Sequence, residues 1–128
     1  MNVLLDTHAL LWFALDDPQL SRAAHALVVD PANEKFVSPM SWWEIAIKMS
    51  MKKYTLTVAH DVLFETAIRD NGFRVLPIEP RHTAALVTLP FYHKDPFDRL
   101  LIAQAIVEDI PIVSADSAFD PYPVRRIW

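Results

Sequence analysis

Short apolar runs alternate along this chain with longer stretches of helical spacing, and that alternation leaves few folds open. Strands are expected at Asn2–Leu5, Glu34–Ser38, Phe73–Leu76, Ile110–Ser114 and Val124–Ile127. Helices are expected between them: Thr7 to about Leu15, a stretch capped by Ser21 and running through Val29, about Met40 to Met51, Val58–Asp70, Pro80–Leu89 and Pro96–Asp109. Val58, Val62, Leu63, Ala67 and Ile68 repeat with helical spacing, and Asn71-Gly72 then offers a left-handed stop. Strands that alternate with helices form a parallel sheet covered on both faces. The expected architecture is therefore an α/β domain with a central, mostly parallel sheet. Leu100, Leu101, Ile102, Ala103, Ala105, Ile106 and Val107 occupy most of the circumference of their helix, which places it deep in the packing. A chain of 128 residues suits one domain spanning residues 1–128.

Proline, with ten copies against a single glycine, is the main punctuation, and it stands at helix starts and element ends. There is no cysteine, which excludes structural disulfides, thiolate zinc sites and cysteine nucleophiles and fits a cytoplasmic protein. The N-terminal MNVLLDTHALLWFALDD has no basic n-region, and Asp6 and His8 interrupt its apolar run, so neither a signal peptide nor a membrane span is expected. Hydrophobic residues make up 52% of the chain, four tryptophans among them, and some of that surface is expected to meet another chain. The net charge of −4 counts against a broad basic footprint for nucleic acid. That objection weakens if several acids share one pocket and are neutralised by metal.

The positions of the acids support such a pocket. Asp6 follows the first strand, Glu44 lies in the first turns of the helix after the second, and Asp116 follows the fourth. Asp95 and Asp98 begin the Pro96–Asp109 helix. In a parallel sheet these points share the carboxyl edge of the strands, where ligands bind. Gathered carboxylates repel one another and call for a hard divalent cation, Mg²⁺ or Mn²⁺, whose chemistry on a phosphodiester is hydrolysis. Each acid also has a structural role open to it. Asp6 can cap the first helix, Ser41-Trp42-Trp43-Glu44 reads as a capping box, Asp95-Pro96 as a cap with proline at N1, Asp98 as a complement to the helix dipole, and Asp116 as an Asx turn.

The segments that carry these acids resemble the PIN-domain family and, within it, the VapC-type toxins of bacterial toxin–antitoxin pairs. The matching pieces are LLDTHALLW, SPMSWWEIAIK, HKDPFDRLLIAQA and IVSAD, in order along nearly the whole chain, and HKDPFDRLLIAQA is the most specific. The resemblance implies a three-layer α/β/α sandwich, an Mg²⁺-dependent endoribonuclease acting on RNA, a homodimer and a cognate antitoxin protein. It also implies that Asp6, Glu44, Asp98 and Asp116 are the catalytic, metal-binding acids, with Asp95 an extra acid and Ser114 a small hydroxyl residue beside them. Met51-Lys52-Lys53 stands where related sequences often carry glycine-lysine, a departure that bears on the turn there and not on the acids.

Lys48, Lys52, Lys53 and Arg99 are candidates for RNA phosphates. Glu44, Lys48 and Lys52 also suit simple pairing along one helix face, and Arg99 suits holding Asp95 or Asp98. Trp42 and Trp43, about 100° apart on a helix, cannot both face one core layer, and one of them is expected at an interface or a base. Trp12 and Phe13 are expected in the core. His93 lies close enough in sequence to approach the acids but is given no catalytic role, and His8, His25, His60 and His82 form no ligand group. A phosphorylation receiver is disfavoured, because it needs an acid pair after the first strand and a lysine after the last, and no lysine follows Ser114. An inert PIN-like binding module remains the other alternative.

Overall fold

The computed structural model describes all of residues 1–128. The elements run β1 (Asn2–Leu5), α1 (Thr7–Ala14), α2 (Arg22–Val29), β2 (Glu34–Val37), α3 (Pro39–Ser50), α4 (His60–Asn71), β3 (Arg74–Val75), α5 (Pro80–Val87), α6 (Pro96–Glu108), β4 (Ile112–Val113), a 3₁₀ turn (Ser117–Phe119) and β5 (Arg126–Ile127). The sheet order is β3-β2-β1-β4-β5, and every pair is parallel.

β1 is central, and its alternation builds both faces of the core. Val3 and Leu5 join Val37, Val113 and the apolar sides of α1, α2 and α4. Leu4, opposite Phe36 and Ile112, packs on the other face against Leu101, Ile102 and Ala105 of α6. A strand buried on both faces reads as a continuous apolar run, which is why Val3-Leu4-Leu5 does not alternate with polar residues. α3 reaches both layers: Met40 packs with α6 and Ile45 with α1 and α4.

The local starts follow from the sequence. The hydroxyl of Ser21 accepts the amide N–H of Ala24, and Asp95 accepts those of Phe97 and Asp98 ahead of Pro96 at N1. α4 ends on Gly72 at φ +67°, as expected of the only glycine. The Ser41–Glu44 capping box is not formed. Ser38 caps α3 instead, with Pro39 at N1, because proline has no N–H to leave unpaired there. Ser41 then lies inside the helix, where its hydroxyl bonds Thr7 Oγ1 at 3.0 Å and ties α3 to α1. The outer strands β3 and β5 each pair on one side only and are shorter than the strands expected at Phe73–Leu76 and Val124–Ile127. β4 is shortened as well, since Ile110 bonds back to Ala105 at the end of α6. No helix is long and apolar enough to cross a membrane.

Candidate active site

Strands β2 and β3 lie to one side of β1, and β4 and β5 to the other, so the chain changes direction across the sheet at β1/β4. A parallel sheet opens a crevice beyond the carboxyl ends of two such strands. Asp6 directly follows β1, and Asp116 follows β4 by three residues. α3 and α6, which bring Glu44 and Asp98 to the same end, pack against each other.

The caps and the site are built from the same side chains. Asp6 Oδ1 accepts the Ala9 N–H at 2.7 Å. Asp116 Oδ1 accepts the Ala118 N–H at 2.9 Å. In each carboxylate the cap holds one oxygen and fixes the direction of the other, so the structural role orients the functional one. Asp95 spends its Oδ1 on Phe97 and Asp98 at the start of α6. Glu44 is 2% exposed. Its Oε2 accepts Lys48 Nζ at 2.5 Å, while its Oε1 is buried without any hydrogen-bond partner.

Asp98 reports the convergence. Burial drives its pKa up first, and the charges of Asp95, Glu44, Asp6 and Asp116 add to that, so it stands at about 8 against an ordinary 3.8. Burial likewise raises Asp6, with Glu44 pushing the same way and the Ser114 hydroxyl and Ala9 N–H pulling against them. At Asp116 partial burial pushes up, but the Ala118 N–H, His93 and Arg126 outweigh it and hold the carboxyl low. Lys48 sits above its usual value: partial burial opposes this, and the bond to Glu44 prevails. All four acids therefore share one electrostatic neighbourhood, and Lys48 is the cation bonded directly to one of them.

Two residues outside the expected set hold the centre together. His93 Nε2 lies 2.9 Å from Asp116 Oδ2 and 3.2 Å from Asp98 Oδ2. Arg126 pairs with both oxygens of Asp120 and donates to the Ser114 carbonyl at 3.1 Å, bracing the turn that presents Asp116. The proximity of His93 to the HKDPFD acids was legible in sequence; the reach of Arg126 across β5 was not. Ser114 is fully buried, and its Oγ accepts the Asp116 N–H.

Arg99 does not hold Asp95 or Asp98, nor does it face solvent. It is 6% exposed, and its guanidinium donates to the carbonyls of Leu89, Pro90 and His93 while lying 3.8 Å from the Phe91 ring centroid. A planar fork with five donors suits three converging carbonyls of one loop, and that outcompetes a single carboxylate. Lys52 and Lys53 are exposed beyond the end of α3. Trp42 packs into the core beside Phe64, while Trp43 is 61% exposed and meets Phe97 edge-on. Phe13 packs on the core, but Trp12 does not: it is half-buried between His8 and Trp128. A cavity of about 470 Å³, lined by Trp42, Phe64 and Ile68 together with His60, Asp61, Glu65 and Arg69, touches none of Asp6, Glu44, Asp98 and Asp116.

A hard divalent cation fits this centre. The donors are carboxylate oxygens, one of them buried and unpaired, and one acid resists ionisation because burial and the charges of its neighbours both oppose it. The family model described as PIN domain matches residues 3–124. Ribonuclease VapC22 of Mycobacterium tuberculosis is 32% identical over 132 residues, covering 99% of this chain and 98% of its own. Among solved structures, VapBC2 from Rickettsia felis bound to a promoter DNA fragment superposes with a TM-score of 0.73 at 14% identity, over 99% of this chain and 98% of the other. FitAcB from Neisseria gonorrhoeae gives 0.68 at 18% identity, over 98% and 96%. A toxin–antitoxin complex from Klebsiella pneumoniae gives 0.65 at 21%, over 98% and 96%. At these identities the structural likenesses establish the fold.

Proposed function

The chain belongs to the PIN domain family, and from that premise we propose that it is an Mg²⁺- or Mn²⁺-dependent endoribonuclease, the toxin of a toxin–antitoxin pair. The observation that carries the reading is the convergence of Asp6, Glu44, Asp98 and Asp116 from four separate segments: burial first, and then the charges of Asp95 and of the other three acids, raise Asp98 to about 8. The ribonuclease similarity of the Mycobacterium relative supports the activity. The toxin–antitoxin complexes among the structural neighbours support a protein partner.

In this reading Asp6, Asp98 and Asp116 hold the cation, with Glu44 Oε1 as a further ligand or as acceptor for a water proton. When bound, the cation would supply positive charge to the phosphate and ease loss of a proton from water. The chain's own residues do the rest. The Ala9 and Ala118 amides lock Asp6 and Asp116 in place. Lys48 fixes Glu44 through Oε2 so that Oε1 is the free acceptor. The Ser114 hydroxyl orients the Asp116 backbone from below. Lys52 and Lys53 are the exposed cations of the α3 end and suit phosphates flanking the scissile one. The homodimer and a cytoplasmic setting belong to the same proposal.

The test is cleavage of labelled cellular RNA by the purified protein, with Mg²⁺ or with EDTA, beside a folded Asp98→Asn variant. Discrete cutting that needs metal and disappears in the variant is expected. Cutting that survives both EDTA and the substitution would overturn the assignment. Intact RNA in every lane would favour the inert binding module.

A further inference from the structure

His93, Asp98 and Asp116 place a ring nitrogen and two carboxylate oxygens within 4.8 Å of one another, which is the spacing of a three-ligand metal site. The hydrogen bonds of the histidine argue for a different role. Its Nδ1 accepts the backbone N–H of Asp95 at 3.1 Å. A nitrogen that accepts carries no proton, so the proton of the ring stands on Nε2. Nε2 is then a donor, hydrogen-bonded to Asp116 Oδ2 at 2.9 Å with Asp98 Oδ2 3.2 Å away, and offers no lone pair to a cation. Ligation through Nε2 would move the proton to Nδ1, where it would face the Asp95 N–H.

The surroundings keep the ring from turning. The His93 N–H donates to Tyr122 Oη at 2.8 Å, and Tyr122 donates onward to the Pro90 carbonyl at 2.6 Å. Arg99 collects the carbonyls of Leu89, Pro90 and His93. The ring itself lies against Phe119 with centroids 5.4 Å apart, and its side chain is 12% exposed. The loop before α6 is thus a rigid mount for one N–H.

We propose that His93 is not a metal ligand but a fixed Nε2–H donor, holding Asp116 beside Asp98 in the free protein and donating to an oxygen of the scissile phosphate when the substrate arrives. The reason is one of pairing. A cation that takes Asp116 Oδ2 competes with the Nε2–H for the same lone pairs. The partly buried N–H then needs another acceptor, and an oxygen of a phosphate drawn to the same two carboxylates by the cation is the one at hand. The substrate half of this inference rests on the nuclease reading above; the metal half does not.

Two measurements separate the roles. The first follows Mg²⁺ binding by calorimetry and the ring nitrogens by ¹⁵N-resolved NMR in the wild type. It is repeated for binding with His93→Ala and His93→Gln, both checked for fold by circular dichroism. Expected are an Nε2–H signal that persists on saturation with Mg²⁺ and an affinity in His93→Ala that is unchanged or a few-fold tighter. A tenfold weaker affinity in His93→Ala, or loss of the Nε2 proton on loading, overturns the proposal by making His93 a ligand. The second measures affinity for an uncleavable, phosphorothioate-blocked RNA in Mg²⁺. A drop of about tenfold in His93→Ala with recovery in His93→Gln, whose amide can donate, supports the phosphate contact. Equal affinities in all three proteins overturn the substrate half while leaving the metal half standing. Absence of RNA binding by the wild type, with the Mg²⁺ results as expected, would instead remove the nuclease reading.

Discussion

Replacing Asp98 with asparagine should stabilise the metal-free protein, and the size of the gain follows from its surroundings. The unfolded carboxyl ionises near 3.8, whereas the folded one ionises at about 8. Between those values the native state holds a proton that the unfolded state has released. Stability therefore falls as pH rises from about 4 to about 8 and levels off above. At about 1.36 kcal/mol per unit, four units amount to roughly 5–6 kcal/mol. The side chain keeps 21% of its exposure and its loop can relax, so about half of that is a realistic cost. Asparagine cannot ionise and keeps an oxygen beside His93, but it loses about 0.5 kcal/mol of favourable charge at the helix N-terminus. The net expectation is a gain of about 2 kcal/mol at pH 8, or roughly 6–10 °C in Tm for a domain of this size, shrinking to nothing near pH 4. The assay is thermal unfolding in EDTA across that range, then in Mg²⁺. A cation at a hundred times its Kd adds about 2.7 kcal/mol to the wild type and much less to the variant, so the order should reverse. An Asp98→Asn protein less stable than wild type in EDTA at pH 8, or a difference independent of pH, would refute the repulsion argument.

Three further perturbations probe separate parts of the account. Glu44→Gln should keep the fold by circular dichroism yet weaken Mg²⁺ binding roughly tenfold or more in calorimetry, because it halves the acceptor capacity at a buried, unpaired oxygen; an unchanged affinity would remove Glu44 from the centre. Arg99→Leu leaves the Leu89 and His93 carbonyls without this donor, while Pro90 keeps the Tyr122 hydroxyl, and should cost about 3 kcal/mol in urea unfolding, with Arg99→Lys losing less; a change under about 0.5 kcal/mol would show the loop to be held by Tyr122 alone. Gly72→Ala meets nothing within 4 Å but must hold φ at +67°, so it should lose about 1 kcal/mol in the same titration through backbone strain, and a neutral result would mean that α4 ends otherwise in solution.

The parts of this fold legible in sequence are those decided within a few residues. Val3-Leu4-Leu5 announced a strand buried on both faces, and Ser21 and Asp95-Pro96 marked helix starts correctly. Ser41 misled because a hydroxyl three residues before a glutamate is also what an interior helical serine looks like. The decision lay with Ser38-Pro39, and the true partner of Ser41 is Thr7, 34 residues away. The extents of β3, β4 and β5 depend on neighbouring strands that local patterns do not contain. At the site, the four acids could be placed at one sheet edge by topology alone, since each follows or faces a strand end. The ring of His93 between two of them, the brace from Arg126 and the inward turn of Arg99 depend on side-chain directions fixed only by tertiary packing. Arg99 shows the limit most plainly: its place beside Asp98 in HKDPFDR suggested a phosphate contact or a partner for Asp95 or Asp98, yet it points into the loop behind.

The central claim is that four carboxylates from four segments form one cation-holding centre. Anomalous scattering from crystals soaked in Mn²⁺ tests it most directly. The account predicts a peak within ligand distance of Asp6, Asp98 and Asp116, with Glu44 Oε1 facing it or its water, and no such peak in Asp98→Asn crystals. A peak elsewhere, or none at Mn²⁺ concentrations that support RNA cleavage, would contradict it.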